Sequence, residues 1–388
     1  MREFTFNTAP GIDYAPGAAL RLAVTCRRLG IARPLLVTDP GLVAIGLVAP
    51  VQSALAAAGL VVAVFDQVRE DPPEATVVAA QAFACEQGVD GVIGLGGGSS
   101  MDVAKVVAVL LGGTQPLAEL YGVDQVRGPR LPLVLVPTTA GTGSEVTPVA
   151  IVTTSETTKA GVSSAVLLPD VAVLDPDLTL GLPPGITAMT GVDAMVHAIE
   201  AYTSRHRKNP LSDNLARQAL ALLGENIRTA VAEGANRVAR GNMLLGACLA
   251  GQAFANAPVA AVHALAYPLG GHYHIPHGLS NSLVLPSVLA FNAPAAGALY
   301  AELAELVVGR PVPGSEEAKS AALIQALREL IGQLQLPATL AAAGVLEADL
   351  PMLAADAMQQ QRLLVNNPRE VSEADALSIY RAAYGAGA

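Results

Sequence analysis

The first half of the chain alternates short apolar runs, rich in β-branched residues, with alanine-rich stretches of helical character. This alternation is typical of βαβ units built around a parallel sheet. The apolar runs cover residues 34–38, 61–65 and 91–95, and the helical stretches that follow them cover residues 48–58, 75–86 and 101–111. Further apolar runs predict strands at residues 131–136, 149–153 and 171–174.

The pattern changes after residues 175–185, a segment that holds three prolines and two glycines. From Thr187 onward, long alanine and leucine faces at helical spacing predict helices, including residues 214–223, 240–255 and 317–330. A chain of 388 residues also exceeds the roughly 250–300 residues at which a single core stops growing. We therefore predict an α/β domain with a parallel, Rossmann-like sheet over residues 1–182 and an all-helical domain over residues 183–388.

Composition narrows the class of protein. The 52% hydrophobic content comes mainly from alanine, valine and leucine, and no uninterrupted apolar run reaches the ~18 residues of a membrane span. The first residues lack the pattern of a signal peptide, and three widely spaced cysteines suit reduced thiols in a cytosol. A net charge of −10 without a basic stretch to offset it disfavours nucleic acid. We expect a cytoplasmic protein that binds neither membrane nor nucleic acid.

All six histidines of the chain lie between His197 and His277. Histidine is the commonest protein ligand for zinc, iron and copper. Three of these histidines and one carboxylate have spacings suited to a single ion: Asp193, His197, His263 and His277. This donor set suits Fe(II) or Zn(II) and leaves a position open for substrate, which favours catalysis. A closed structural site is the alternative, but structural zinc normally uses cysteine ligands.

Asp193 and His197 are four residues apart and share one face of a predicted helix. The helix is expected to open near Thr190, which could serve as its N-cap. In the simpler interpretation, Asp193 then belongs only to a capping box with Thr190.

The other two histidines lie near predicted helix ends. His263 falls in a helical stretch at residues 260–267, which is expected to stop at Pro268. His277 opens a helix predicted at residues 278–285, where the helix dipole disfavours imidazolium and helps to keep His277 neutral.

A glycine-rich segment runs from the predicted strand at residues 91–95 into the next helix. Gly96, Gly97 and Gly98 precede Ser99 and Asp102. Glycines let the backbone approach a phosphate closely, and the helix N-terminus supplies free N–H groups. The segment is neither a Walker A loop nor a full GxGxxG motif, so an ordinary glycine-rich turn is the alternative.

A second candidate ligand loop, residues 137–147, carries five hydroxyl side chains and two glycines directly after a predicted strand. In an open parallel sheet, ligands bind beyond the carboxyl ends of the strands, where both loops would lie. Asp39, which follows the apolar run at residues 35–37, could accept a hydrogen bond from an adenosine ribose and would repel a 2′-phosphate. This favours NAD over NADP, although Asp39 could equally belong to a simple turn.

Together these segments resemble the iron-containing, or group III, alcohol dehydrogenase family, whose relatives include glycerol dehydrogenase and dehydroquinate synthase. The resemblance covers nearly the whole chain and rests on residues 96–105, 137–147, 191–200 and 263–281, in that order. It implies a divalent metal bound by the four residues above. It also implies a nicotinamide cofactor between an α/β domain that binds the dinucleotide and a helical domain that holds metal and substrate.

The resemblance also implies roles in the cofactor site. The glycine segment would face the pyrophosphate, the threonines of the second loop would lie along the cofactor, and a lysine would reach the nicotinamide ribose. The expected cofactor-binding residues are Asp39, Gly96, Gly97, Gly98, Ser99, Asp102, Thr138, Thr139, Thr142 and Lys159.

Two positions depart from the family pattern. Many members have a histidine four residues after the third metal ligand, credited with substrate contact or proton relay, where this chain has Tyr267; Asp71 stands where many have asparagine. With an unperturbed pKa near ~10, tyrosine is the poorer relay at neutral pH. The candidate catalytic residues are therefore Tyr267 and, as substitutes, His272 and His274.

The resulting hypothesis is an NAD(H)-linked, metal-dependent alcohol dehydrogenase or aldehyde reductase that acts on a small alcohol or aldehyde. A lyase like dehydroquinate synthase is the first alternative, but few lysines or arginines accompany the helical-domain motifs to hold a phosphorylated substrate. A non-catalytic metal or nucleotide sensor is the second. Analogy suggests a homodimer or a larger homo-oligomer, while ligand type permits either iron or zinc.

Overall fold

A computed structural model describes residues 3–155 and 159–385 of the chain. The chain divides into two compact units. The α/β unit comprises Asn7–Leu180, and the helical unit comprises Gly181–Ala388 together with Met1–Phe6.

The α/β unit is built on a six-stranded parallel sheet in the order β1-β9-β6-β4-β2-β3. A second sheet has the order β5-β8-β7, in which β7 and β8 are antiparallel. The strands are β1 (Gly11–Tyr14), β2 (Pro34–Val37), β3 (Ala63–Phe65), β4 (Gly91–Gly96), β5 (Gly122–Val123), β6 (Leu133–Pro137), β7 (Val149–Thr153), β8 (Lys159–Ser163) and β9 (Val171–Leu174). The helices are α1 (Leu22–Arg28), α2 (Pro40–Ala44), α3 (Val48–Ala57), α4 (Glu74–Gln87) and α5 (Gly98–Gly112).

The central strands are buried on both faces, which explains why their sequences are continuous apolar runs. Successive side chains of β6 enter opposite core clusters: Leu133 and Leu135 pack in one, Val134 and Val136 in the other. Because strand side chains alternate between the two faces of a sheet, a run without polar residues needs cover on both.

The helical unit contains helices and, among its described residues, no strand. Its helices are α6 (Pro184–Tyr202), α7 (Pro210–Ala232), α8 (Arg237–Asn256), α9 (Ala261–Tyr273), α10 (His277–Val308), α11 (Glu316–Gln333), α12 (Leu350–Ala357), α13 (Gln361–Leu364) and α14 (Glu373–Tyr384). The predicted fold, a parallel α/β sheet followed by a helical region, is confirmed.

The predicted start of α6 and the predicted end of α9 are wrong. Helix α6 begins at Pro184, so Thr190 lies inside it and donates its hydroxyl to the Ile186 carbonyl oxygen at 2.9 Å rather than capping an end. The capping-box interpretation is therefore excluded. Pro268 does not stop α9, which continues to Tyr273.

Helix α10 also extends much further than predicted, passing Pro286 and Pro294 to reach Val308. By length and composition alone this helix could cross a membrane, and half of its most apolar 18-residue stretch is buried within the protein. Helices α8 and α9 pass the same test only as a pair, bent by 106°. Core helices pass such a test too, so this is weak evidence for a membrane span.

Candidate metal centre and dinucleotide loops

The four predicted metal ligands come together in the helical unit. Asp193 and His197 lie on α6, His263 lies on α9, and His277 is the first residue of α10. Asp193 Oδ1 is 3.8 Å from His197 Nε2, 3.8 Å from His263 Nε2 and 3.7 Å from His277 Nε2. Donors around a tetrahedral ion with bonds of about 2.1 Å are about 3.4 Å apart. Ligand atoms of Asp193, His263 and His277 all lie within 4.8 Å of one another, which fits one divalent ion, and His197 Nε2 approaches the same carboxylate oxygen.

The cluster is closed on one side and accessible on the other. The side chains of Asp193, His197 and His263 are 3 to 5% exposed, whereas that of His277 is 42% exposed. The His197 ring stacks between Phe254, at 4.3 Å between centroids, and His263, at 4.9 Å. These stacked rings hold the buried ligands in place, and the His277 side offers an approach for a small molecule.

Electrostatics keep the carboxylate ready to bind a cation. Burial alone would raise the pKa of Asp193, but the neighbouring imidazoles, with His197 foremost, and the Asn281 amide give a pKa below its usual value. Asn281 lies one turn after His277 and donates to Asp193 Oδ1 at 2.6 Å. Its own Oδ1 is buried and accepts no hydrogen bond from the residues that the structure describes. An orphaned polar atom beside four potential ligands fits a site made for an ion.

Glu200 was not predicted from the sequence as a residue of the metal site, although it contacts one of the candidate ligands. Its Oε2 lies 2.7 Å from His263 Nδ1 and accepts a hydrogen bond from the Ala260 N–H at 3.0 Å, while Oε1 accepts from the Val262 N–H at 2.7 Å. A signal was available, because Glu200 follows Asp193 by two helical turns and so shares its face of α6.

The candidate catalytic residues have different surroundings. The Tyr267 ring is 5.9 Å from the His277 ring, and its hydroxyl is 3.5 Å from Arg362 Nη2. His272 Nε2 is 2.8 Å from an Asp356 carboxylate oxygen. His274 ends α9 in the left-handed region, with φ of 53°, and its side chain is exposed. Of the three, Tyr267 has a ring contact with a predicted metal ligand.

The two predicted cofactor loops lie side by side in the α/β unit. Strands β4 and β6 are parallel neighbours, and Gly96 pairs with Pro137 at the point where each strand ends. A Cβ at Gly97 would meet nothing closer than Thr139 at 3.9 Å, whereas one at Gly98 would lie 3.1 Å from Thr142. Any side chain at Gly97 or Gly98 would occupy the space beside the backbone. Because glycine has no side chain, this space stays free for a ligand.

The hydroxyl residues line the same region. Thr139 Oγ1 is buried and has no hydrogen-bond partner within residues 3–155 and 159–385, and Thr142 Oγ1 accepts from the Ser144 N–H at 3.2 Å. Thr138 is buried directly after β6, while Ser99 lies in the first turn of α5. An unpaired hydroxyl beside half-buried glycines at a helix N-terminus suits an oxygen-rich ligand such as a pyrophosphate.

Asp102 is engaged by protein donors. Its Oδ1 accepts from the Ser144 hydroxyl at 2.6 Å and its Oδ2 from the Ile151 N–H at 2.9 Å. The fully buried Lys105 donates to Ser144 Oγ and to the Val149 carbonyl oxygen, both at 2.7 Å, and burial lowers its pKa. This network ties α5 to the second loop and to β7. These contacts indicate that Asp102 holds the second loop in position, whereas the sequence led us to expect that it would contact the cofactor directly.

Asp39 caps the short helix α2, since its Oδ1 accepts from the Leu42 N–H at 3.0 Å. Its other oxygen lies beside the glycine segment, 3.5 Å from where a Gly96 Cβ would be. Lys159 Nζ is 2.5 Å from Asp71 Oδ1, and Asp71 has a left-handed φ of 51°. The Asp39 carboxylate thus caps α2 through one oxygen and lies beside the glycine-rich segment through the other.

Comparisons with known proteins agree with this geometry. Residues 10–176 match the model for iron-containing alcohol dehydrogenase, and residues 187–384 match the C-terminal model of the same family. The chain is 43% identical to long-chain-alcohol dehydrogenase 1 of Geobacillus thermodenitrificans over 95% of this chain and 93% of that protein. The chain belongs to the iron-containing alcohol dehydrogenase family.

Solved structures give the same result. A 1,3-propanediol oxidoreductase superposes with a TM-score of 0.95 at 37% identity, covering 99% of this chain and 100% of the other. The sulfoacetaldehyde reductase of Bifidobacterium kashiwanohense in complex with NAD⁺ has a TM-score of 0.88 at 28% identity and full coverage of both chains. The predicted class, an oxidoreductase that acts on alcohols, is confirmed, and the family implies NAD and a divalent metal.

Proposed function

We propose that this chain transfers hydride between NAD(H) and a small alcohol or aldehyde at a metal held by Asp193, His197, His263 and His277. One observation carries the proposal: three imidazole nitrogens lie within 3.8 Å of one buried carboxylate oxygen. A structural site would be sealed, but the 42% exposure of the His277 side chain leaves an approach for substrate.

The chemistry divides between bound groups and side chains. A bound divalent metal supplies a Lewis acid that polarises the substrate oxygen, and NAD supplies the hydride acceptor. The Asp193 carboxylate offsets one unit of the metal's charge, and Asn281 orients that carboxylate through its 2.6 Å hydrogen bond. The stacked rings of His197 and His263 restrict rotation of the ligands, so the site needs little rearrangement to bind an ion.

Tyr267 is the favoured residue to touch the substrate, because its ring lies 5.9 Å from that of His277. Its hydroxyl would donate a hydrogen bond to the substrate oxygen, while it accepts one from Arg362 Nη2 at 3.5 Å. His272 is less favoured because Asp356 holds it. His274 remains the second candidate for proton transfer.

For the cofactor, we propose that Gly96, Gly97, Gly98 and Ser99 receive the pyrophosphate and that Thr138, Thr139 and Thr142 lie along it. Asp39 faces the adenosine ribose, which favours NAD over NADP because its charge would repel a 2′-phosphate. Lys159 reaches the nicotinamide ribose after its ion pair with Asp71 breaks. Asp102 contributes to cofactor binding indirectly, because it holds the loop at residues 137–147 in position.

We propose Fe(II) as the native metal, supported by the family to which the chain belongs. Three imidazoles and one carboxylate also suit Zn(II), which is the competing ion. We further propose that residues 1–182 form the dinucleotide-binding domain and residues 183–388 the metal and substrate domain, in a cytosolic homodimer or larger homo-oligomer. Sedimentation velocity of the purified protein tests the oligomer.

The decisive experiment combines elemental analysis with an NADH-linked screen of short alcohols, diols and hydroxy acids. We expect one equivalent of iron per chain after anaerobic loading and NADH production that a chelator abolishes and Fe(II) restores. Turnover without net NADH production would indicate a lyase. Stoichiometric metal and NAD without turnover across the whole panel would indicate a sensor.

A further inference from the structure

Glu200 has no role in the hydride transfer described above, yet it is a buried carboxylate of the helical unit with three hydrogen-bond contacts. It is 4% exposed and lies on α6, facing the first turn of α9. Its two oxygens meet three nitrogens: the backbone N–H groups of Ala260 and Val262, and Nδ1 of His263. A buried side chain with this many fixed contacts holds its neighbours in one arrangement.

The contact with His263 has a chemical consequence. A carboxylate that already receives two backbone N–H groups is an acceptor, so the imidazole nitrogen 2.7 Å away acts as the donor. A neutral imidazole carries one proton, so a proton on Nδ1 leaves the lone pair on Nε2. That nitrogen faces the centre of the cluster, 3.8 Å from Asp193 Oδ1.

We infer that Glu200 is a positioning residue for the metal: it fixes His263 as the Nδ1–H tautomer and aims Nε2 at the ion. The inference rests on the proposed metal site. The same carboxylate binds the backbone just ahead of His263 through Ala260 and Val262. It therefore sets both the orientation of the imidazole ring and the placement of the helix that carries it, so metal affinity depends on a residue that does not touch the metal.

The test compares Glu200→Gln with a matched control. Glutamine keeps the size of the side chain but offers one acceptor oxygen and an NH₂ group, which cannot accept from the remaining N–H groups. Glu302→Gln is the control, because Glu302 also accepts a hydrogen bond from a side chain of α6, that of Tyr202, without contacting a predicted ligand. Zn²⁺ and Co²⁺ affinities are measured by competition with a chromophoric chelator.

We expect Glu200→Gln to weaken binding of both ions about 10- to 100-fold, the usual effect of removing a hydrogen-bond partner of a ligating histidine. Glu302→Gln should stay within about twofold of the wild type, as expected for a substitution without a metal contact. If both variants bind metal equally well, the inference is wrong. A purely structural role for Glu200 would lower the melting temperature of the variant without this selective loss of affinity.

A second measurement needs no variant at position 200. Nitrogen-15 NMR of labelled histidines distinguishes the two tautomers in the metal-free wild type, and a His263→Gln sample assigns the signal. We expect His263 to carry its proton on Nδ1, and an Nε2–H form would overturn the inference even if Glu200→Gln failed to fold. A wild type that binds neither ion would instead refute the proposed metal site, while the NMR result would still decide the tautomer.

Discussion

Gly96 offers the sharpest test of how the dinucleotide loop is built. It ends β4 with φ of +155°, a conformation that residues with a Cβ rarely adopt. In Gly96→Ala, the added methyl would lie 2.7 Å from both Cβ and Oγ of Ser100, far inside a carbon contact of about 3.5–4.0 Å. Backbone strain of about 1–3 kcal/mol and overpacking of about 1–3 kcal/mol together predict a loss of about 2–6 kcal/mol in unfolding free energy.

Gly97→Ala is the matched control, because it adds the same methyl one residue later. Gly97 has φ of −76°, and the nearest described neighbour of its Cβ would be Thr139, at 3.9 Å. We expect its stability to change by less than about 1 kcal/mol. The methyl would nonetheless occupy the side proposed for the pyrophosphate, so NADH should bind at least about tenfold more weakly, a loss of about 1.4 kcal/mol.

Urea unfolding followed by far-UV circular dichroism measures the stabilities. NADH fluorescence measures the affinities without interference from tryptophan, which the chain lacks. If Gly96→Ala unfolds at the same urea concentration as Gly97→Ala, the steric reasoning is refuted. If Gly97→Ala binds NADH like the wild type, the placement of the pyrophosphate is refuted.

Three further predictions concern other residues. Asp193→Asn should lose its stoichiometric iron on dialysis, because the substitution removes the negative charge from the metal site. Its affinity for NADH should stay within about twofold of the wild-type value. Iron retained by the variant would argue against the proposed ligand set. Tyr267→Phe should lower kcat/KM about 3- to 10-fold, because one hydrogen bond to the substrate is lost. His274→Ala should keep a kcat/KM near that of the wild type. A larger loss in His274→Ala than in Tyr267→Phe would assign the proton relay to His274 instead. Burial alone would raise the pKa of Asp170, but hydrogen bonds from Arg130 and the Leu133 N–H leave it lowered. Asp170 therefore stabilises the fold above its unfolded pKa near ~3.9, and this contribution fades as pH falls through the lower folded value. Asp170→Asn should then cost about 1–3 kcal/mol at pH 7 and less at pH 3, whereas a difference independent of pH in urea unfolding would contradict the linkage.

The fold was predictable where local pattern and burial agree. The strands around β4 and β6 are apolar throughout because both faces of the sheet are covered, and their predicted positions differ from the observed ones by one or two residues. Strand β8 escaped prediction because Lys159–Ser163 is short and only one of its residues is buried. Its position depends on antiparallel pairing with β7, which no local pattern reveals.

The helix boundaries failed for identifiable physical reasons. Thr190 resembles an N-cap, but its hydroxyl can instead bond the carbonyl four residues earlier, which permits threonine inside a helix. Pro184 near the true start of α6 was the better signal, since proline is favoured in the first turn. Pro268 lies inside α9 with its ring buried, in a setting where tertiary packing overrides the local penalty for proline.

The sequence singles out the candidate ligands, whose assignment stays a prediction, but it does not reveal the residues that support them. Asp193, His197, His263 and His277 are chemically conspicuous in the sequence. The roles of Glu200 and Asn281 depend on contacts across 63 and 88 residues of chain. Acidic and amide residues are common on helices, so only three-dimensional proximity distinguishes these two from solvent-exposed neighbours.

The cap at the start of α2 bears on attempts to change the cofactor that this enzyme accepts. In the proposed binding mode, a switch to NADP would begin by removing the negative charge of Asp39, yet the same carboxylate accepts a hydrogen bond from the Leu42 N–H. Alanine at this position would sacrifice about 1 kcal/mol of helix capping. Asn and Ser cap helices about as well as Asp, so either would remove the charge while preserving the turn. Redesign of cofactor preference at this position should therefore begin with Asp39→Asn or Asp39→Ser.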